Sequence, residues 1–267
     1  MKFIFWNINK NPLVDEIAEL VEESKCDIAA FAETDEETMK KVIISLKEEY
    51  KIDCSLYQPP GCDRIKIIVI GCVNISLLSH GSYFSLVKIK GDNRELIAGF
   101  VNFPSKLHRS LDSLRGLLEK FHNQIIVEEV RCNIQGSMVM GDFNVNPFEM
   151  PMISLLGMGA TNGQYCSQRN KVTSDDVSKR LFYNPMWTLY AEHKERPGGY
   201  RYLDTQNHVL TWHFLDQVII RPSLIEYFNF DSLQVIKKTS TVHYLNNRQS
   251  PDKNISDHLP LMCEVEI

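Results

Sequence analysis

The chain has 267 residues, 43% hydrophobic and 24% charged, with a formal net charge of −5. That profile fits an ordinary globular protein, argues against a generic nucleic-acid coat, and holds no apolar run long enough to span a membrane. The first residues, MKFIFWNINKNP, lack the apolar core and small-residue cleavage site of a secretory signal. Seven cysteines are scattered without a CxxC pair, which points to reduced thiols in a cytoplasmic protein rather than to disulfides or a zinc site.

KFIFWNI reads as a buried strand, PLVDEIAELVEES as an amphipathic helix and CDIAAFAE as a second short strand. EETMKKVIISLKEEY is another helix. Five strands follow: YKIDCSLY, RIKIIVI, VNISLLS, YFSLVKIK and ELIAGFVNF. Residues 105–131 form a long helix with Leu107, Leu114, Leu117 and Phe121 on one stripe. Next comes GSMVMGDFNVNPFEMP, an apolar strand running into a turn. There Asn146 reads as an N-cap, with Pro147 first and Glu149 third in a helix. Asp142 and Asn144, two apart, point to one side of an extended backbone; this is either a site or only a well-capped turn. Residues 157–213 are irregular, and HFLDQVIIR and LPLMCEVEI are the last strands. With no repeat, low-complexity tract or linker, residues 1–267 are expected to form one layered α/β domain with packed sheets inside helices.

Several of these strands meet an acid or amide at one end. FIFWN ends at Asn7, IAAFAE at Glu33 and MVMGDFN at Asp142 and Asn144; HFLDQVII starts near Asp216, and ISDHLPLM carries Asp257 and His258. A single such carboxylate is as well explained by a turn. Five together, if they converge, offer through Asn7, Glu33 and Asp257 hard oxygen ligands for magnesium or manganese, with positions left for water and a phosphate.

The ordered set WNIN, FAET, GDFNVNP, LDQVII and SDHLPL resembles the endonuclease/exonuclease/phosphatase superfamily and spans nearly the whole chain. The resemblance implies a four-layer α/β sandwich, two facing mixed β-sheets flanked by helices, with a metal site at the strand ends. It implies Glu33 as principal metal ligand, assisted by Asn7 and Asp257. Asp142 would orient or deprotonate the attacking water, Asn144 would hold a phosphate oxygen, and His258 would contact the phosphate with Asp216 accepting its ring N–H. One position departs from the pattern. Where many members carry His or Tyr, this chain has Asn102, and an amide cannot deliver a proton near neutral pH. Lys106 and His108 downstream, or a metal-bound water, are the substitutes.

For the substrate, two stretches mix cations with aromatics. One holds Arg169, Lys171, Lys179 and Arg180; the other holds Arg196, Arg201, Tyr200, Tyr202 and Trp212 beside a Gly-Gly turn. Both suit a nucleic-acid backbone with splayed bases, and both are equally read as solvated loops over packed aromatics. The expected activity is therefore metal-dependent hydrolysis of nucleic-acid phosphodiesters, endo- or exonucleolytic. The alternatives are a phosphatase or phosphodiesterase for a small or lipid-linked phosphate, and a catalytically silent binding module.

Overall fold

The structure is a computed structural model that describes residues 1–267 except 59–60, 168–170, 175–176, 193–197 and 203–208. The strands are β1 (Lys2–Asn7), β2 (Ile28–Ala32), β3 (Cys54–Tyr57), β4 (Ile65–Ile70), β5 (Asn74–Gly81), β6 (Phe84–Lys90), β7 (Glu95–Asn102) and β8 (Ser137–Asp142). Four short ones follow, β9 (Ala160–Thr161), β10 (Lys171–Ser174), β11 (Val177–Arg180) and β12 (Phe182–Tyr183). The last five are β13 (Tyr200–Arg201), β14 (Trp212–His213), β15 (Asp216–Ile220), β16 (Phe228–Val235) and β17 (Leu261–Val265). The main helices are α1 (Val14–Ser24), α2 (Glu36–Glu48) and α3 (Leu111–Cys132).

Two mixed sheets face each other, with α1 and α2 associated with one and α3 packed on the other. The first runs β16-β17-β1-β2-β4-β3 and the second β5-β6-β7-β8-β15-β12-β9. In each, one central pair is parallel, β1 with β2 and β7 with β8. Parallel neighbours put the C-terminal ends of two strands at one rim, so Asn7 lies beside the end of β2, and Asn102 beside Asp142.

The reason these segments become central strands is burial on both faces. Phe3, Ile4, Phe5 and Trp6 are all fully buried, so β1 reads as a continuous apolar run rather than an alternating one. On α3, Leu114, Leu118, Phe121 and Ile125 form the stripe that covers the second sheet, each contributing on the order of 1.5–3 kcal/mol by leaving water. Among the described residues no helix is long and apolar enough to cross a membrane.

The helix expected from residue 105 begins later. Ser110 is its N-cap, accepting from the Ser113 backbone N–H at 3.2 Å, and Leu107 lies before the helix, 84% exposed. A hydroxyl that satisfies an orphan helix N–H decided the boundary over the apolar spacing of Leu107. The turn after β8 also differs from expectation. Residues 146–149 are not helical, and a single short helix, Met150–Ile153, follows with Glu149 as its N-cap residue. Asn146 is recruited elsewhere: its Oδ1 accepts from the Phe214 N–H at 3.1 Å and its Nδ2 lies 3.0 Å from His213 Nδ1. Glu149 still returns its carboxylate to the Asn146 N–H, at 2.5 Å.

Candidate active site

The site begins with a glycine. Gly141 has φ +148°, and a Cβ there would lie 2.2 Å from the Val101 carbonyl oxygen. Only glycine lets β8 hug β7 at this point. Asp142, one residue on, then stands directly opposite Asn102 on one side and Asp216 on the other.

Asp142 is buried. Its Oδ1 accepts from the Asn144 N–H at 2.8 Å, and its Oδ2 accepts from the amides of Asn144 at 2.9 Å and Asn7 at 3.3 Å. Asn144 reaches the same side as Asp142, but through a left-handed turn at φ +55° rather than along an extended strand. Its amide also donates to the Phe103 carbonyl at 2.8 Å. From the facing sheet, the Asn7 Nδ2 donates to Glu33 Oε1 at 3.2 Å as well as to Asp142, while its oxygen accepts from the Asn9 N–H at 3.0 Å. Glu33 follows the end of β2 with φ +53°, a second non-glycine residue in the left-handed region. With Asn9 and Lys10, which follow β1 and also take positive φ, they mark a rim whose backbone is held by its surroundings.

His258 enters on a loop tied back to β1. Trp6 Nε1 donates to the His258 carbonyl at 2.9 Å, and Ser256 Oγ donates to the Asn7 carbonyl at 2.7 Å. The imidazole Nδ1 lies 2.7 Å from Asp216 Oδ2. Burial alone would lower the pKa of this ring, but Asp216, with Asp142 and Asp257 behind it, more than offsets burial and raises it to about 10. Held against Asp216, the ring favours its charged form and donates from Nδ1 to that carboxylate. Asp142 moves up to about 7, through burial first and the Asp216 charge second.

Asp142, Asp216 and His258 bring potential ligand atoms within 4.8 Å of one another. This trio is a hydrogen-bonded dyad beside a carboxylate, since a charged imidazole has no lone pair for a metal. The residues that fit a hard dication are different. Glu33 and Asp142 lean on the same Asn7 amide nitrogen, with no cation between them among the described residues, and Glu33 and Asp257 are only half-buried. A concentration of carboxylate oxygen of this kind is the donor set that magnesium or manganese favours. Two further atoms in the site are buried without a partner, Asn102 Nδ2 and Asp216 Oδ1.

The other expected residues stand apart from this group. Lys106 Nζ is 3.0 Å from both Glu149 carboxylate oxygens, and His108 is exposed in the turn before α3. Arg201 is exposed and donates to Ser250 Oγ. Arg196 and Arg169 lie outside the described residues. In the basic stretch, weighed in the sequence as a nucleic-acid contact or a solvated loop, two cations are engaged in ion pairs. Lys179 is buried against Glu119 at 3.0 Å, and Arg180 pairs with Glu129 at 2.8 Å, so both cations tie a hairpin to α3.

Two more residues lie on the same rim, Arg64, which the sequence did not single out, and Tyr200, which it offered only as a loop aromatic for substrate. Arg64 precedes β4 and sits over the Tyr83 ring at 5.0 Å, and the Tyr83 carbonyl accepts from the Asn102 N–H. Tyr200 packs its ring 4.7 Å from that of His258 and forms a backbone bridge with it. The sequence signal for Tyr200 was the Gly-Gly before it: a Cβ on Gly198 would meet the His213 oxygen at 2.5 Å, and the Gly199 carbonyl accepts from the Leu259 N–H.

No protein-family model and no curated protein sequence matches the chain. Solved structures do. The human Nocturnin catalytic domain with bound sulfate matches with a TM-score of 0.58 at 14% identity, covering 98% of this chain and 93% of that one. An endonuclease/exonuclease/phosphatase family protein from Leptotrichia buccalis matches with a TM-score of 0.57 at 12% identity, covering 100% of both chains. An AP endonuclease from Archaeoglobus fulgidus gives 0.54 at 12% identity, again with 100% of both covered. At these identities the likeness is one of fold: the chain has the four-layer fold of the endonuclease/exonuclease/phosphatase proteins.

Proposed function

We propose that this chain is a divalent-metal-dependent phosphodiesterase acting on nucleic acid, as an endonuclease or exonuclease, with residues 1–267 as one catalytic domain. The observation that carries the reading is the meeting of Glu33, Asn7 and Asp142 with the His258–Asp216 dyad at one rim of two facing sheets. These residues come from five separate segments of the chain, and turn formation does not require them to converge.

In this reading Glu33 and Asp257 hold magnesium or manganese, with Asn7 beside them through its amide. The metal supplies charge compensation on the phosphoryl oxygens. Asp142, with a pKa near neutrality, takes the proton of the attacking water. The Asn144 amide helps fix the Asp142 carboxylate and is near enough to hold a phosphate oxygen once substrate displaces that contact. His258, kept charged by Asp216, offers Nε2 to the phosphoryl group where negative charge builds. Asn102 contributes its unpartnered amide as a hydrogen-bond donor and no proton.

Nucleic acid as substrate is supported by the cation-aromatic pair Arg64 and Tyr83, by the Tyr200 ring against His258, and by an AP endonuclease among the structural neighbours. One observation favours a small phosphate instead, the net charge of −5. Purified protein with magnesium, tested on plasmid, abasic duplex, single-stranded RNA and inositol phosphates, separates the two. Cleavage of a polynucleotide is expected, and turnover of inositol phosphates alone would overturn the substrate assignment.

A further inference from the structure

The proposed chemistry leaves one atom without a partner: the oxygen that departs from phosphorus. In-line displacement puts it on the far side of the phosphorus from the water held at Asp142. Asn102, beside Asp142 on β7, cannot protonate it, and Lys106 is engaged by Glu149. Past Asp216, the rim is walled by His258 and Tyr200.

Tyr200 is fixed there by three independent contacts. Its backbone pairs with His213 in the β13–β14 ladder, it bridges to His258, and its ring rests on the His258 imidazole. The residue is half-buried, and its hydroxyl makes no hydrogen bond to any described residue. A phenol on a rigid base, next to the dyad and with no hydroxyl partner among the described residues, is placed to meet a ligand.

We propose that the Tyr200 hydroxyl donates a hydrogen bond to the departing oxygen, at the place in the reaction where Asn102 offers no acid. This rests on the phosphodiesterase reading of the site. A tyrosine phenol titrates at about pH 10 even unperturbed, so it remains protonated and a donor across the working range. In the step itself, the water oxygen bonds to phosphorus and its proton passes to Asp142. The bond to the departing oxygen breaks with its electron pair going to that oxygen, and the hydrogen bond from Tyr200 strengthens as the charge grows. The proton taken by Asp142 then reaches the alkoxide through solvent, so water and diester give monoester and alcohol.

The test compares two esters of one nucleotide, a dinucleotide with an alkoxide leaving group and a p-nitrophenyl ester. Tyr200→Phe keeps the ring on His258. It is expected to lower kcat on the dinucleotide by roughly 10- to 100-fold, the scale of one donor to developing charge, and to change the aryl ester by less than about 3-fold. Inorganic phosphate binding, measured by calorimetry, is expected to be the same in both proteins. Equal losses on the two esters, no loss on either, or phosphate binding weakened in step with turnover would each overturn the role. A wild-type chain inert toward both esters, magnesium present, would instead remove the phosphodiesterase reading and the Tyr200 role together.

Discussion

Asp142 and Asp216 are direct cross-strand partners at the ends of β8 and β15, two buried carboxylates that face the ring of His258 as their counter-charge among the described residues. That relationship couples chemistry to stability. Replacing His258 with Asn leaves the pair without a counter-charge, so turnover is expected to fall by roughly 100-fold or more and urea stability by about 3–5 kcal/mol. Asp216→Asn combined with it should lose far less activity than the product of the single losses, because the two side chains act as one unit. Strictly multiplicative losses would show that they act separately.

Glu33→Gln tests the metal end of the site. It keeps the shape and the backbone strain at φ +53° while removing the charge. Magnesium affinity by calorimetry is expected to drop by about 10-fold or more, and activity with it, while the melting temperature stays near wild type. Unchanged magnesium affinity would remove Glu33 from the ligand set.

Behind α3 lies a buried ionic cluster outside the site. Arg221 is fully buried; its Nε donates to Glu129 Oε1 at 2.7 Å, its Nη1 donates to the Arg180 and Leu181 carbonyls, and its guanidinium lies 3.9 Å over the Phe182 ring. Glu129→Gln would leave that cation unpaired and is expected to cost about 3–5 kcal/mol in chemical denaturation. Turnover below the shifted melting temperature should be unaffected, which separates this variant from those at the rim.

The same cluster sets an acid limit. His122 Nε2 faces the Arg221 Nη1 at 3.3 Å and its Nδ1 faces the Gly157 carbonyl at 3.2 Å, a pattern that requires the neutral ring with its proton on Nδ1. Burial, and then the Arg221 charge, lower its pKa to about 3, against 6.5 in the unfolded chain. Between those values the unfolded chain binds the extra proton. The stability His122 contributes is therefore complete above about pH 6.5 and declines as pH falls toward 3, by up to about 1.4 kcal/mol per pH unit. His122→Gln is expected to flatten this part of the curve relative to wild type; parallel curves would assign the acid sensitivity to other groups.

What the sequence disclosed depended on how local the cause was. The runs that become β1, β2, β8 and β15 were legible because both their faces are buried, and the acids at their ends because an apolar run stops there. The cap at Ser110 was harder to read because Leu107 continues the apolar spacing into a turn that nothing covers. The partners of Asn146, Lys179 and Arg180 lie 51 to 68 residues away, so no local pattern announces them. Tyr200 was visible as an aromatic beside two glycines; only the bridge to His258 turns it toward the site.

The loop that carries His258 is fastened to β1 by Trp6 and Asn7, across 252 and 249 residues of chain. Contacts of that span form late, because the ends must find each other before the bonds reward it. A polypeptide still emerging from the ribosome can complete β1 and β2 early, yet it holds no dyad until residue 258 has cleared the exit tunnel. The His258–Asp216 pair is thereby postponed until every strand from β1 to β16 has been made.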